Sequence, residues 1–67
     1  MAKAYKKIDV VGISDKSLSD AIDTAIEKAS DSLHGLAWFE VMEMRGKIDD
    51  GKVAEYQATV RIGFKLD

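Results

Sequence analysis

The 67 residues contain no cysteine and no proline, a single histidine and a single tryptophan. Without thiols no disulfide can brace the chain, and one histidine without thiolates leaves no zinc site of the usual kind. No apolar run approaches the 18 or so residues that a membrane helix requires. The opening MAKAYKKIDVVG carries lysines but no uninterrupted apolar stretch and no cleavage site, so it does not read as a signal peptide. Cytoplasmic location is then the default. Ten basic against twelve acidic residues give a net charge of −2, which excludes a partner held chiefly by nucleic-acid phosphates. The Lys6-Lys7 pair is too short for such a patch.

What is present is apolar. The hydrophobic fraction of 46% with little glycine argues against disorder. One domain spans residues 1–67, close to the lower limit for a chain that folds alone. Small scaffolds are usually braced by disulfides, a metal or oligomerisation, and only the last remains here.

The stretch LAWFEVMEMR, Leu36–Arg45, dominates the pattern. Successive strand residues point to opposite faces. Strict alternation therefore places Phe39 and Val41 on one face and Leu36, Trp38, Met42 and Met44 on the other. The chain's one helix can cover only one of these faces, so the face with Trp38 needs a partner.

The rest follows in order. Residues 3–12 read as a strand with Ile8 and Val10 on one side and Tyr5, Asp9 and Val11 on the other, ended by Gly12. Ser14, Asp15 and Ser17 offer helix N-caps. Leu18, Ala21, Ile22, Ala25, Ile26, Ala29 and Leu33 then form one apolar stripe of a helix over 17–33, with Gly35 as its left-handed stop. Asp50-Gly51 marks a tight hairpin turn. A last strand over 53–66 alternates Tyr56, Ala58, Val60, Ile62, Phe64 and Leu66 against Glu55, Gln57, Thr59, Arg61 and Lys65. The fold class is α+β, a three-stranded antiparallel sheet curled around one helix in β-α-β-β order. The helix should meet Phe39, Val41, Tyr56, Ala58, Val60 and Ile62. That leaves Trp38, Glu40 and Met42 beside Gln57, Thr59 and Arg61 on an open face, an oligomer contact, a ligand site, or both.

Enzyme chemistry finds no foothold. No carboxylate pair stands with a base, nucleophile or metal ligand in a recognisable set, and no glycine-rich phosphate loop occurs. His34 reads as a surface or capping residue, the methionines as adaptable interface packing, and Glu40, Glu43 and Glu55 as strand-surface charges or intersubunit partners.

The βαββ order, together with YKKIDVVG, WFEV, MRG, EYQ and the closing IGFKL, resembles the dodecins, small flavin-binding proteins that assemble as hollow homododecamers. The resemblance covers essentially the whole chain and implies storage or sequestration of FMN or riboflavin without catalysis. It implies that Trp38 stacks on the isoalloxazine ring, that Gln57 hydrogen-bonds the polar edge of the flavin, and that Arg45 serves the phosphate side. It further implies coenzyme A as a second ligand at Lys3, Tyr5 and Lys65. Ala37 departs from the acidic residue expected before the tryptophan. Against this stands a structural reading in which Trp38 seals an oligomer interface. Gln57 shares the alternation face of Trp38, and an amide carries both the donor and the acceptor that an imide edge demands. Simple alternation puts Arg45 on the opposite face. It reaches the site only through a bulge or twist near Gly46, or from a neighbouring subunit; otherwise it is an exposed charge or an intersubunit salt bridge.

Overall fold

The computed structural model describes residues 2–67. Strand β1 (Tyr5–Ser14), helix α1 (Leu18–Ser30), strand β2 (Leu36–Asp49) and strand β3 (Lys52–Lys65) follow in the expected order. The sheet is antiparallel with β3 in the middle, between β1 and β2. The tryptophan strand β2 is therefore an edge strand.

The elements begin and end for local reasons. Ser17 caps α1, its hydroxyl accepting the Asp20 N–H at 2.9 Å. The buried Ser14 hydroxyl donates to the Asp20 carboxylate at 2.6 Å and accepts the Lys16 N–H at 2.9 Å, tying the end of β1 to the first turn of the helix. The helix stops at Ser30, before the expected boundary at Leu33. Gly35 does adopt a positive φ of 71°, but it turns the connection into β2 and does not cap the helix. At the hairpin tip Asp50 and Gly51 take φ of 51° and 74°, the pair of left-handed residues that a type I′ turn requires.

Gly12 does not break β1, which runs on to Ser14. It lies beneath the helix, where an added Cβ would overlap the carbonyl of Ala21. The alanine stripe makes that approach possible, with Ala21, Ala25 and Ala29 buried against the sheet.

The core comprises Ala25, Ala29, Val60 and Ile62, ringed by Ile8, Val10, Ile22, Ile26, Leu33 and Leu36.

The helix packs on β1 and β3 and leaves β2 exposed beyond its first residue, Leu36. Phe39 and Val41 do lie on the helix side, opposite Ile62 and Val60, yet they remain 47% and 38% exposed. Both faces of β2 are therefore open, where one was expected to be covered. The β2–β3 hairpin projects past the helix, and the molecule measures 54 × 20 × 13 Å. Its accessible surface is 4969 Å², against about 4200 Å² for a compact monomer of this 7.4 kDa mass. An apolar groove of about 310 Å³ on the helix side of the hairpin is lined in part by Leu18, Met44, Ile48, Val53 and Tyr56. Covering each large side chain of this kind stabilises by roughly 1.5–3 kcal/mol, a driving force toward association of chains.

Candidate functional site

Two bulges in β2 decide which side chains share the open face. Leu36 pairs with Phe64 and Trp38 with Gly63, so Ala37 is the extra residue of a bulge. It turns Leu36 toward the core and Trp38 away from it, where alternation alone had put both on one side. A second register shift falls between Val41 and Glu43, at Met42. Beyond it the alternation is inverted. Met44 pairs with Ala58 on the helix side, and Arg45 pairs with Gln57 on the open side. The expected placement of Met44 is thus corrected, and Arg45 reaches the open face through a bulge at Met42, earlier than Gly46.

The open face has two ends and a charged middle. At one end Trp38 lies over Gly63, where an added Cβ would clash with the indole ring. Tyr5 braces it, with ring centroids 4.9 Å apart and planes tilted by 51°. The indole is 40% exposed. Tyr5 stands directly opposite Lys65. The ladder continues through the Leu66 N–H to the Ala4 carbonyl at 3.0 Å, which brings the exposed Lys3 to the same end of the sheet.

In the middle, Arg61 donates through Nε and Nη2 to Asp9 at 2.8 and 3.1 Å, and Lys7 donates to Glu40 at 2.8 Å. These bonds hold the Asp9 and Glu40 carboxyls below their ordinary values, the Arg61 and Lys7 hydrogen bonds respectively being the main cause and desolvation opposing them. Arg61 is raised in turn by its bond to Asp9.

At the other end Arg45 Nε donates to Gln57 Oε1 at 2.7 Å, and Gln57 Nε2 donates to Glu55 at 2.8 Å. Ile13 stands opposite Gln57 on β1. The distance from the Trp38 end to the Gln57 end, position 63 to position 57 of β3, is about 20 Å at the rise of a strand. Within one chain the structure brings Gln57 to Arg45, and Tyr5 and Lys65 to Trp38. It does not bring Trp38 to Gln57.

Sequence reasoning missed the parts played by Gly63, by Glu55 and by two ion pairs. Gly63 carries a signal, because glycine inside a strand marks a close approach. Alternation did put Glu55 on the face of Gln57, two residues away, but not its hydrogen bond to the amide. The Asp9–Arg61 and Lys7–Glu40 pairs have no such signal, since they depend on the strand order.

Comparison with known proteins agrees with this architecture. The family model described as Dodecin matches residues 4–67. The chain belongs to the dodecin family. It is 45% identical to the dodecin of Thermus thermophilus over all of this chain and 97% of that protein. The solved dodecin from Streptomyces davaonensis superposes with a TM-score of 0.96 at 43% identity, covering 100% of this chain and 98% of that one. A calcium dodecin from Mycobacterium tuberculosis, described as having a novel calcium-binding site, superposes with a TM-score of 0.83 at 31% identity over 96% of this chain and 91% of that one. As a dodecin the chain is a small-ligand-binding protein that self-assembles. Among the described residues no group of three or more His, Cys, Asp or Glu is placed to hold a metal ion, and no helix is long and apolar enough to cross a membrane.

Proposed function

We propose that this protein stores flavin, riboflavin or FMN, stacked on Trp38 at the subunit interfaces of a homododecamer, and does not turn it over. The observation that carries this reading is the pose of Trp38. An indole that fills a monomer's own core is buried, and one left free is mobile. This one is laid over a glycine, braced by Tyr5 and left 40% exposed on an open sheet face. A surface held in that way can stack a flat ring without first being ordered, and stacking contributes about 1–3 kcal/mol per contact.

Gln57 supplies the amide for the imide edge of the ring, and Arg45 supplies the guanidinium for a phosphate. Arg45 spends Nε on Gln57, which leaves its terminal amino groups for an anion. Because Trp38 and Gln57 lie at opposite ends of one chain, the site draws them from different subunits. Coenzyme A is a second ligand of this reading, with its phosphates at Lys3 and Lys65 beside Tyr5. Calcium is less well supported on this chain, given the lack of a ligating cluster among the described residues.

Titrating riboflavin, FMN and flavin adenine dinucleotide and following flavin fluorescence tests the reading. Strong quenching by the parent protein, largely lost in Trp38→Ala with the assembly intact, is the expected result. Flavin fluorescence that stays unchanged on adding the parent protein would instead favour an assembly protein whose tryptophan seals an interface.

A further inference from the structure

We propose that Glu55 is a positioning residue that fixes which way the Gln57 amide faces, and so sets the order of donor and acceptor offered to a ligand. The proposal rests on the flavin reading of Gln57 and goes beyond it to a residue that touches no ligand.

The two neighbours of the amide leave it one orientation. An ionised carboxylate only accepts hydrogen bonds, and a guanidinium only donates them. Glu55 therefore takes the amide nitrogen, at 2.8 Å, and Arg45 takes the amide oxygen, at 2.7 Å. A flipped amide would set its oxygen against the Glu55 carboxylate and its N–H groups against the Arg45 guanidinium. Both contacts would be repulsive.

The clamp does not exhaust the side chain. An amide nitrogen has a second N–H and an amide oxygen a second lone pair. Gln57 thus keeps one donor and one acceptor in a fixed order along the strand. A heterocyclic imide edge, which alternates carbonyl and N–H, matches that order in one direction only. Arg45 divides its guanidinium between the amide oxygen, held by Nε, and any anion met by its terminal amino groups. Among the described residues the side-chain hydrogen bond of Glu55 goes to that amide.

Gln57 is the only side-chain amide in the sequence, which has no asparagine. The side-chain amide region of a nitrogen-15 correlation spectrum of the deuterated, assembled protein therefore contains one NH2 pair, assigned without ambiguity. Before any ligand is added, Glu55→Ala is expected to shift that pair and narrow the separation of its two protons. In the same variant riboflavin should bind about two- to tenfold more weakly, the effect of one neutral hydrogen bond's worth of ordering. In a Gln57→Ala background, Glu55→Ala should change riboflavin affinity no further.

An NH2 pair unmoved by Glu55→Ala overturns the proposal, whatever flavin does. So does an affinity loss of the same size with and without Gln57, which would mean that Glu55 acts elsewhere. A pair that moves on Glu55→Ala but ignores saturating riboflavin has a different meaning. It upholds the clamp and sinks the flavin reading of Gln57.

Discussion

The indole of Trp38 occupies the space above Gly63 where a side chain would otherwise stand. The cross-strand partner of the tryptophan is thus a shaped gap. Gly63→Ala is expected to lift the ring off the sheet, part it from Tyr5 and weaken riboflavin binding, with the assembly retained. Trp38 is the only tryptophan, so its emission reports the displacement directly. Unchanged emission and affinity would show that the ring's position over Gly63 has no part in binding.

Arg45→Ala is expected to weaken FMN more than riboflavin, because only FMN presents a phosphate. A charge-assisted hydrogen bond is worth about 1.5–3 kcal/mol, and that sets the size of the difference between the two ligands. Paired titrations by fluorescence quenching measure it. Equal losses for both ligands would assign Arg45 to holding Gln57, its observed partner, in place of the phosphate.

Folding and assembly should be one event. The open faces of β2 include Phe39, Val41, Met44 and Ile48, the last 75% exposed. Sedimentation is expected to give a particle many times the 7.4 kDa chain, with a melting temperature that rises with protein concentration. A well-folded monomer at micromolar concentration, with a concentration-independent melt, would contradict this.

Acid should loosen the middle of the open face. The folded Asp9 and Glu40 carboxyls lie below their ordinary values of 3.8 and 4.5. Their contribution to stability is therefore complete above those ordinary values and is lost as pH falls through the lowered, folded ones. Both pairs are exposed, so the effect is small and falls with added salt. Melting curves of the parent and of Asp9→Asn across the acid range check the sign. The variant should lose stability near neutral pH and show a shallower decline below it.

Much of this was legible in the residues. The alanine-rich stripe of α1, the Asp50-Gly51 turn and the alternation of β3 each carry a local signal that tertiary context did not override. The errors cluster in β2, and they share one cause. A bulge adds a residue without any composition mark, and alternation counted through Ala37 and Met42 then assigns Leu36, Met44 and Arg45 to the wrong sides. The helix's coverage was misjudged for a related reason. Strand order comes from pairing, and nothing in β1 or β3 announces that β3 would take the centre and leave β2 at the edge. At the candidate site, Trp38 and Gln57 share the face that alternation gave them, and Arg45 joins them only because of the bulge at Met42. Their division between two ends of the chain was not legible, because face and position along a strand are separate facts.

That division, about 20 Å along β3, makes the proposed site a matter of genetics as well as of chemistry. A Trp38→Ala subunit still offers a sound Gln57, and a Gln57→Ala subunit still offers a sound Trp38. Co-assembled from a mixture, two defective parents would rebuild some complete sites at their shared borders, each lending the half that the other has lost. Mutations in this small protein would then complement one another within a single particle, and a subunit crippled at one end would go on serving its neighbours with the other.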